Sequence, residues 1–291
     1  MNLILIHPEE LDATGRARLT DTRAEHIRKV LRAEPGKELR IGLVNGPFGT
    51  GTVEVVSPEE VVLACELEAE TPPRSTIDLL LAMPRPKVLK RLWAQFAALG
   101  VGRIFITNAE KVERYYFDTH ILEPDFYNAR FIEGLQQARD TRLPEVTIVK
   151  NLKPFLENDF LSEFGEDKQA PTQLVPMSGK KILADPSGDR SLFQCLENVD
   201  ATPSSRFQPL EESAEKVPTL GTDCVGVQRF ARQGQSILLG IGPEGGWTPY
   251  ELEMFKAQGF DLFGMGPRIL RTDTACIALL GMISEIKRRH S

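Results

Sequence analysis

The sequence predicts an α/β protein, a parallel sheet covered by helices on both faces and preceded by a small, mostly β domain. Three observations carry that expectation. From Ser75 onward, continuous apolar runs alternate with amphipathic helical segments, the pattern of strands buried on both faces. Residues 1–71 instead hold short strand-like runs broken by Pro35-Gly36, Asn45-Gly46-Pro47 and Ser57-Pro58. Between the two, Thr71-Pro72-Pro73-Arg74 reads as a stiff linker. With 291 residues, 41% of them hydrophobic, the chain can supply a core to each unit, 1–71 and 75–291.

In the first unit the strands fall at 3–6, 38–44, 51–56 and 61–67. One helix, 23–31, shows an apolar stripe of Ile27, Val30 and Leu31, with Thr22 as candidate cap. The second unit opens with strand 77–83, helix 86–99 ending at Gly100, strand 104–107 and helix 125–138. Strand 146–149, helix 154–160, strand 181–184, helix 191–196 and strand 236–241 follow. Helix 249–258, strand 262–265 and helix 274–288 complete it. Residues 198–222, rich in Ser, Thr, Pro and Glu, break the rhythm and read as an exposed insertion loop.

Composition narrows the function. No apolar run approaches the roughly 20 residues of a membrane span, and Met1-Asn2-Leu3-Ile4-Leu5 lacks a basic leader, so a cytoplasmic protein is expected. Cys65, Cys195, Cys224 and Cys276 are scattered, and four histidines form no ligand cluster, so no metal site is expected and the thiols read as reduced and structural. A net charge of −6 gives no general attraction for nucleic acid. The exception is Arg16 to Arg40, where Arg16, Arg18, Arg23, Arg28, Lys29, Arg32, Lys37 and Arg40 face only four acidic residues. Two readings stand for that stretch, a phosphate-binding face or a solvated helix surface.

The chemistry concentrates in the last 55 residues. Gly240, Gly242 and Gly245 satisfy G-x-G-x-x-G behind an apolar strand, and Asp261 stands where a ribose-binding carboxylate would. The dinucleotide reading nevertheless fails. The helix start is written later, as a capping box of Thr248 and Glu251 with Pro249 at its first position, and too little chain remains for a dinucleotide domain. Trp247 and Leu252 could form the hydrophobic staple, and Gly259 suits the left-handed helix end beside Phe260. A second loop, Gly264 to Ala275, again joins a strand to a helix through glycine and proline. Two such loops at consecutive strand ends belong in the crevice where open α/β sheets bind ligands. Their chemistry is mostly backbone, because glycine lets main-chain groups approach a ligand closely. Neither loop holds GK[ST], a G-x-S-x-G elbow or a histidine. The conspicuous side chains are Glu244, Arg268, Arg271, Thr272, Asp273 and Thr274, each of which would equally serve as a helix cap or surface ion pair.

"LLGIGPEGGWTPYEL" with "GMGPRILRTDTACIALLGMI" closely resembles the C-terminal signature of the RsmE family, the 16S ribosomal RNA uridine-N3 methyltransferases of the SPOUT superfamily. The likeness continues in "AEHIRKVLRAEPGKELRI" and "NGPFGTGTVEVV", similar to the family's RNA-binding, PUA-like barrel. It extends to "LLLAMPRPKVLKRLWAQFAALGVGRIFI" and "IEGLQQARDTRLPEV" of its methyltransferase domain. The resemblance implies a SPOUT methyltransferase domain with a C-terminal deep trefoil knot, a homodimer, and S-adenosylmethionine held by both loops. The first loop would contribute Leu239, Gly240, Gly242, Pro243, Glu244, Gly245 and Gly246, the second Met265, Gly266, Ile269, Leu270, Arg271, Thr272 and Ala275. The stripe Ile277, Leu280, Ile283 of the last helix fits a dimer interface or a monomer core equally. Three positions depart from the family pattern: Asn2-Leu3-Ile4 without a preceding arginine, Ala98 in "ALGV", and Asp140 near Gln137 where an arginine is usual.

The implied partner is 16S rRNA in the small ribosomal subunit, with Arg23, Arg28, Lys29 and Arg32 as candidate RNA contacts. Uridine N3 carries a proton at neutral pH, so a cation must stabilise the uridinate formed when it leaves. Arg271 is the first candidate and Arg268 the second. A SPOUT enzyme with another RNA target and a catalytically silent ribosome-binding factor are the alternatives.

Overall fold

The computed structural model describes residues 3–159, 179–196 and 236–290, arranged around two sheets. The expected insertion at 198–222 lies outside the described residues. The first sheet contains β1 (Ile4–Ile6), β2 (Arg16–Leu19), β3 (Glu38–Leu43), β4 (Phe48–Val56) and β5 (Val61–Leu67), in the order β1-β3-β4-β5-β2. Only β1 and β3 run parallel. β2 was not legible as a strand, although it has the period of one: Arg16 and Arg18 face solvent while Ala17 and Leu19 are buried. Helix α1 (Thr22–Lys29) begins a residue earlier than expected, because Asp21 rather than Thr22 caps it by accepting the Arg23 amide at 2.9 Å. Ile27 enters the core as expected, but Val30 falls at the helix end and is 66% exposed.

The second sheet is wholly parallel, in the order β11-β9-β10-β6-β7-β8. Its strands are β6 (Ile77–Ala82), β7 (Arg103–Thr107), β8 (Glu145–Val149), β9 (Lys180–Ala184), β10 (Ile237–Ile241) and β11 (Asp261–Phe263). The helices are α2 (Pro86–Ala98), α3 (Pro124–Ala138), the short α4 (Leu152–Pro154), α5 (Leu192–Leu196), α6 (Pro249–Ala257) and α7 (Thr272–His290). α4 continues as a π turn over Phe155–Asp159. Every residue of β6 and β10 is buried, which explains their unbroken apolar reading. Asp78 interrupts the run at no cost in unpaired charge, because its register partner on β7 is Arg103 and the two form a buried ion pair at 2.6 Å.

Strand order fixes where a ligand can bind. β6 leads through α2 to β7 on one side, whereas its neighbour β10 leads through α6 to β11 on the other. The connections diverge between β6 and β10, and this switch point leaves a crevice at the strands' carboxyl ends. The two glycine-rich loops follow consecutive strands of the chain, as expected, but those strands are not neighbours in the sheet, since β9 separates β10 from β11.

The two sheets share a seam. β1 turns Ile4 and Ile6 into the first core and Leu3 and Leu5 into the second, where α3 packs on it. Beside it, Thr141 Oγ1 donates to the Gly46 carbonyl at 2.7 Å, and Arg142 donates to the carbonyls of Asn45 (2.8 Å) and Pro72 (2.6 Å). Asp140 shapes this turn by accepting the amides of Thr141 and Arg142.

Candidate functional site

A cavity of about 550 Å³ occupies the switch point, lined by Arg85, Lys87, Val88 and Arg91 of the α2 region, Glu244 of the loop after β10, and Arg271, Thr272 and Asp273 at the start of α7. The two loops expected to act together therefore do meet, through their side chains, despite the strand between them.

The first loop is held from several directions. Thr248 and Glu251 form the expected capping box, with the Glu251 carboxylate accepting the Thr248 amide at 2.7 Å and the Thr248 hydroxyl accepting the Glu251 amide at 3.3 Å. Glu251 also accepts the Glu110 amide at 2.7 Å, tying α6 to the segment after β7. Trp247 meets Phe255 edge-on with ring centroids 4.8 Å apart, and Leu252 is half-buried against the same core. Leu239 and Gly240 are buried in β10, Pro243 is buried beyond it, and Glu244 and Gly245 are exposed. Gly246 adopts a φ of +69°, which favours glycine.

These glycines also let the loop pack closely on its own protein. A Cβ at Gly242 would meet the Trp247 indole nitrogen at 2.9 Å, and one at Gly245 would meet Lys111 at 3.0 Å. The loop thus packs against its own protein on one side. Lys111, which the sequence did not single out, also clasps it by donating to the Gly245 carbonyl at 2.9 Å.

In the second loop Met265 and Leu270 are half-buried, Gly266 has a φ of +89°, and Ile269 is 87% exposed. Thr272 is buried, and the Ala275 amide donates to the Arg271 carbonyl as α7 begins. Arg271 is 74% exposed on its side chain and lies 3.5 Å from Asp273, which also pairs with Arg91 at 3.0 Å. Asp273 therefore orients two arginines of the cavity as well as accepting the Thr274 amide. Arg268 is exposed and is not among the cavity's lining residues. Asp261, the apparent ribose carboxylate, is spent on ion pairs with Lys180 and Arg190.

The cations of the basic stretch are mostly engaged within the protein. Arg23, 10% exposed on its side chain, points inward to Glu10, Asp21 and the Leu5 carbonyl. Arg28 donates to the Ser57 and Pro58 carbonyls, and Lys29 pairs with Glu25 at 2.6 Å. Arg16, Arg18 and Arg40 pair with Glu54, Glu60 and Glu68. Of the four candidate RNA contacts only Arg32 keeps a guanidinium without a hydrogen bond or ion pair among the described residues. On α7, Leu280 and Ile283 lie in the chain's own core, while Ile277 and Met282 remain exposed.

No cluster of metal ligands occurs among the described residues, and none of their helices is long and apolar enough to cross a membrane. Burial raises the Cys65 thiol to about 11, and burial raises Cys195 and Cys276 also.

The chain is 27% identical to the ribosomal RNA small subunit methyltransferase E of Treponema pallidum over 97% of its own length and 90% of the relative's. It is 24% identical to ribosomal RNA small subunit methyltransferase E 1 of Borreliella burgdorferi, covering 96% and 95% of the two chains. Its fold matches that of a ribosomal RNA small subunit methyltransferase E from Neisseria gonorrhoeae bound to S-adenosyl methionine, with a TM-score of 0.65, 17% identity and 98% of each chain covered. The model of the RNA methyltransferase domain family matches residues 71–284. Sheet, loops and family model agree, and the chain belongs to the RNA methyltransferase domain family.

Proposed function

We propose that this protein transfers a methyl group from S-adenosylmethionine to N3 of a specific uridine in the 16S rRNA of the small ribosomal subunit. The carrying observation is the convergence of Glu244 and Arg271–Asp273 on one crevice at the switch point of a parallel sheet. The relatives' names support the substrate class, and the S-adenosyl methionine bound by the Neisseria gonorrhoeae protein supports the cofactor.

The residues present suit that cofactor. Trp247 Nε1 is buried without a hydrogen-bond partner beside Gly242, and Ile269 is an almost fully exposed apolar side chain in the second loop. The backbone of Leu239 to Gly246 and of Met265 to Thr272, with Ala275, would hold it. When bound, the cofactor supplies an electrophilic methyl group on a sulfonium. Uridine N3 must lose its proton to solvent before attack. The electron pair left on nitrogen would form the new N–C bond as the S–CH3 bond breaks, the electrons of that bond staying on the sulfur of the departing S-adenosylhomocysteine. Arg271, positioned by Asp273, stabilises the negative charge that spreads over the uracil, and Arg268 stands second in that role.

In this reading residues 1–71 form a PUA-like, RNA-binding barrel and 75–291 a SPOUT domain whose C-terminal segment forms a trefoil knot. The protein works in the cytoplasm as a homodimer, and the exposed Ile277 and Met282 of α7 support a second copy packing there. Calorimetric titration with S-adenosylhomocysteine, alongside NADH, tests the cofactor, and nucleoside mapping of rRNA from a deletion strain tests the target. Binding of the former alone and loss of 3-methyluridine are expected. In Arg271→Ala, transfer should fall at least a hundredfold while S-adenosylhomocysteine still binds. Normal turnover in that variant would remove Arg271 from the mechanism.

A further inference from the structure

The crevice has a wall that neither glycine-rich loop supplies. Arg85, Lys87, Val88 and Arg91 face Glu244, Arg271 and Asp273 across it, so four cations meet two carboxylates. Both carboxylates are already engaged. Asp273 is shared between Arg91 and Arg271, and Glu244 accepts the backbone amide of Arg85 at 3.2 Å. The side chains of Arg85 and Lys87 form no hydrogen bond or ion pair among the described residues, and both are exposed.

We propose that this wall binds the phosphodiester backbone of the RNA strand carrying the target nucleotide, with Arg85 and Lys87 on phosphates and Arg91 held ready by Asp273. The inference rests on the RNA methyltransferase reading but concerns a different ligand from the cofactor. Charge decides between the two. S-adenosylmethionine carries a carboxylate, an ammonium and a sulfonium, a net positive charge that a cationic wall repels, whereas each RNA phosphate is an anion. Arginine offers a planar fork that matches phosphate oxygens. Lys87 and Arg91 stand four residues apart on one face of α2, so a strand laid along the helix meets both.

The test compares the full-length protein with the double variant Arg85→Gln, Lys87→Gln. Binding to small ribosomal subunits from a strain lacking this gene is measured across salt concentrations, and S-adenosylhomocysteine is titrated by calorimetry. Loss of two contacts to a single strand should flatten the slope of log K against log salt by about 1.4 and weaken binding roughly tenfold. Cofactor affinity should stay at the wild-type value, and Arg85→Lys should retain most of the slope. An unchanged salt slope overturns the proposal. So does a fall in S-adenosylhomocysteine affinity with the slope intact, which would assign the α2 wall to the cofactor. A wild-type protein that binds subunits through this wall yet binds no S-adenosylhomocysteine would instead sink the methyl-transfer reading alone.

Discussion

Arg23 shows what charge counting along a sequence misses. Eight basic residues crowd the stretch from Arg16 to Arg40, but four of them, Arg16, Arg18, Arg23 and Arg40, pair with Glu54, Glu60, Glu10 and Glu68, which lie outside it in sequence and beside it in space. The cations of the α2 wall are illegible in the sequence for the opposite reason. Arg85, Lys87 and Arg91 are spaced like any solvated helix face, and only the position of α2 beside the β10 loop brings them to the crevice. At Glu10 burial favours the neutral acid, yet hydrogen bonds from Arg23 and the His7 amide outweigh it and lower the carboxyl below its ordinary 4.5. A carboxylate lowered on folding adds stability above its unfolded value, and that stability is lost as pH falls through the folded one. Glu10→Gln should therefore cost about 2 kcal/mol at pH 7 and progressively less below about pH 4.5, read from urea denaturation at a series of pH values. A difference that does not change with pH would show that the Arg23 network gains nothing from the carboxylate's charge.

Helix ends were the most legible elements. The sequence around α6 specifies both of its termini: Thr248 and Glu251 cap the start, Gly259 takes a φ of +76° at the end, and the Phe260 amide returns to the Phe255 carbonyl at 3.1 Å. Local rules suffice there because every partner lies within a few residues. Thr248→Ala should cost about 1 kcal/mol, and Glu251→Ala more, because the latter also abandons the Glu110 amide across the crevice edge. Equal losses in chemical denaturation would reduce Glu251 to a simple cap. β2 was missed for a related reason: four residues alternating Arg, Ala, Arg, Leu carry too weak a pattern until β5 pairs with them from over 40 positions away.

At the level of the whole molecule, the strands of the parallel sheet are readable in the sequence and their order is not. The placement of β9 between β10 and β11 depends on contacts among segments far apart in sequence, and it locates the crevice by setting which connections diverge. The linker was legible as composition, but the seam beyond it was not. Arg142 joins Asn45 and Pro72 from the far side of the chain, and Asp140, a departure from the family's arginine, shapes the turn that presents it. Arg142→Ala with Thr141→Ala should loosen the two sheets from each other. Calorimetry should then resolve two unfolding transitions where the unaltered protein shows one, and a single sharp transition in the variant would place the coupling elsewhere, in β1.

β1 also sets an order of events during synthesis. Ile4 and Ile6 can be covered once the first sheet exists, but Leu3 and Leu5 wait for α3, more than 110 residues downstream. At elongation rates of about 5–20 residues per second that interval lasts on the order of ten seconds, during which one face of a paired strand stays uncovered on the nascent chain. A ribosome stalled before Pro124 should therefore display the first sheet as a target for chaperones that seize exposed leucine, and one stalled after Ala138 should not.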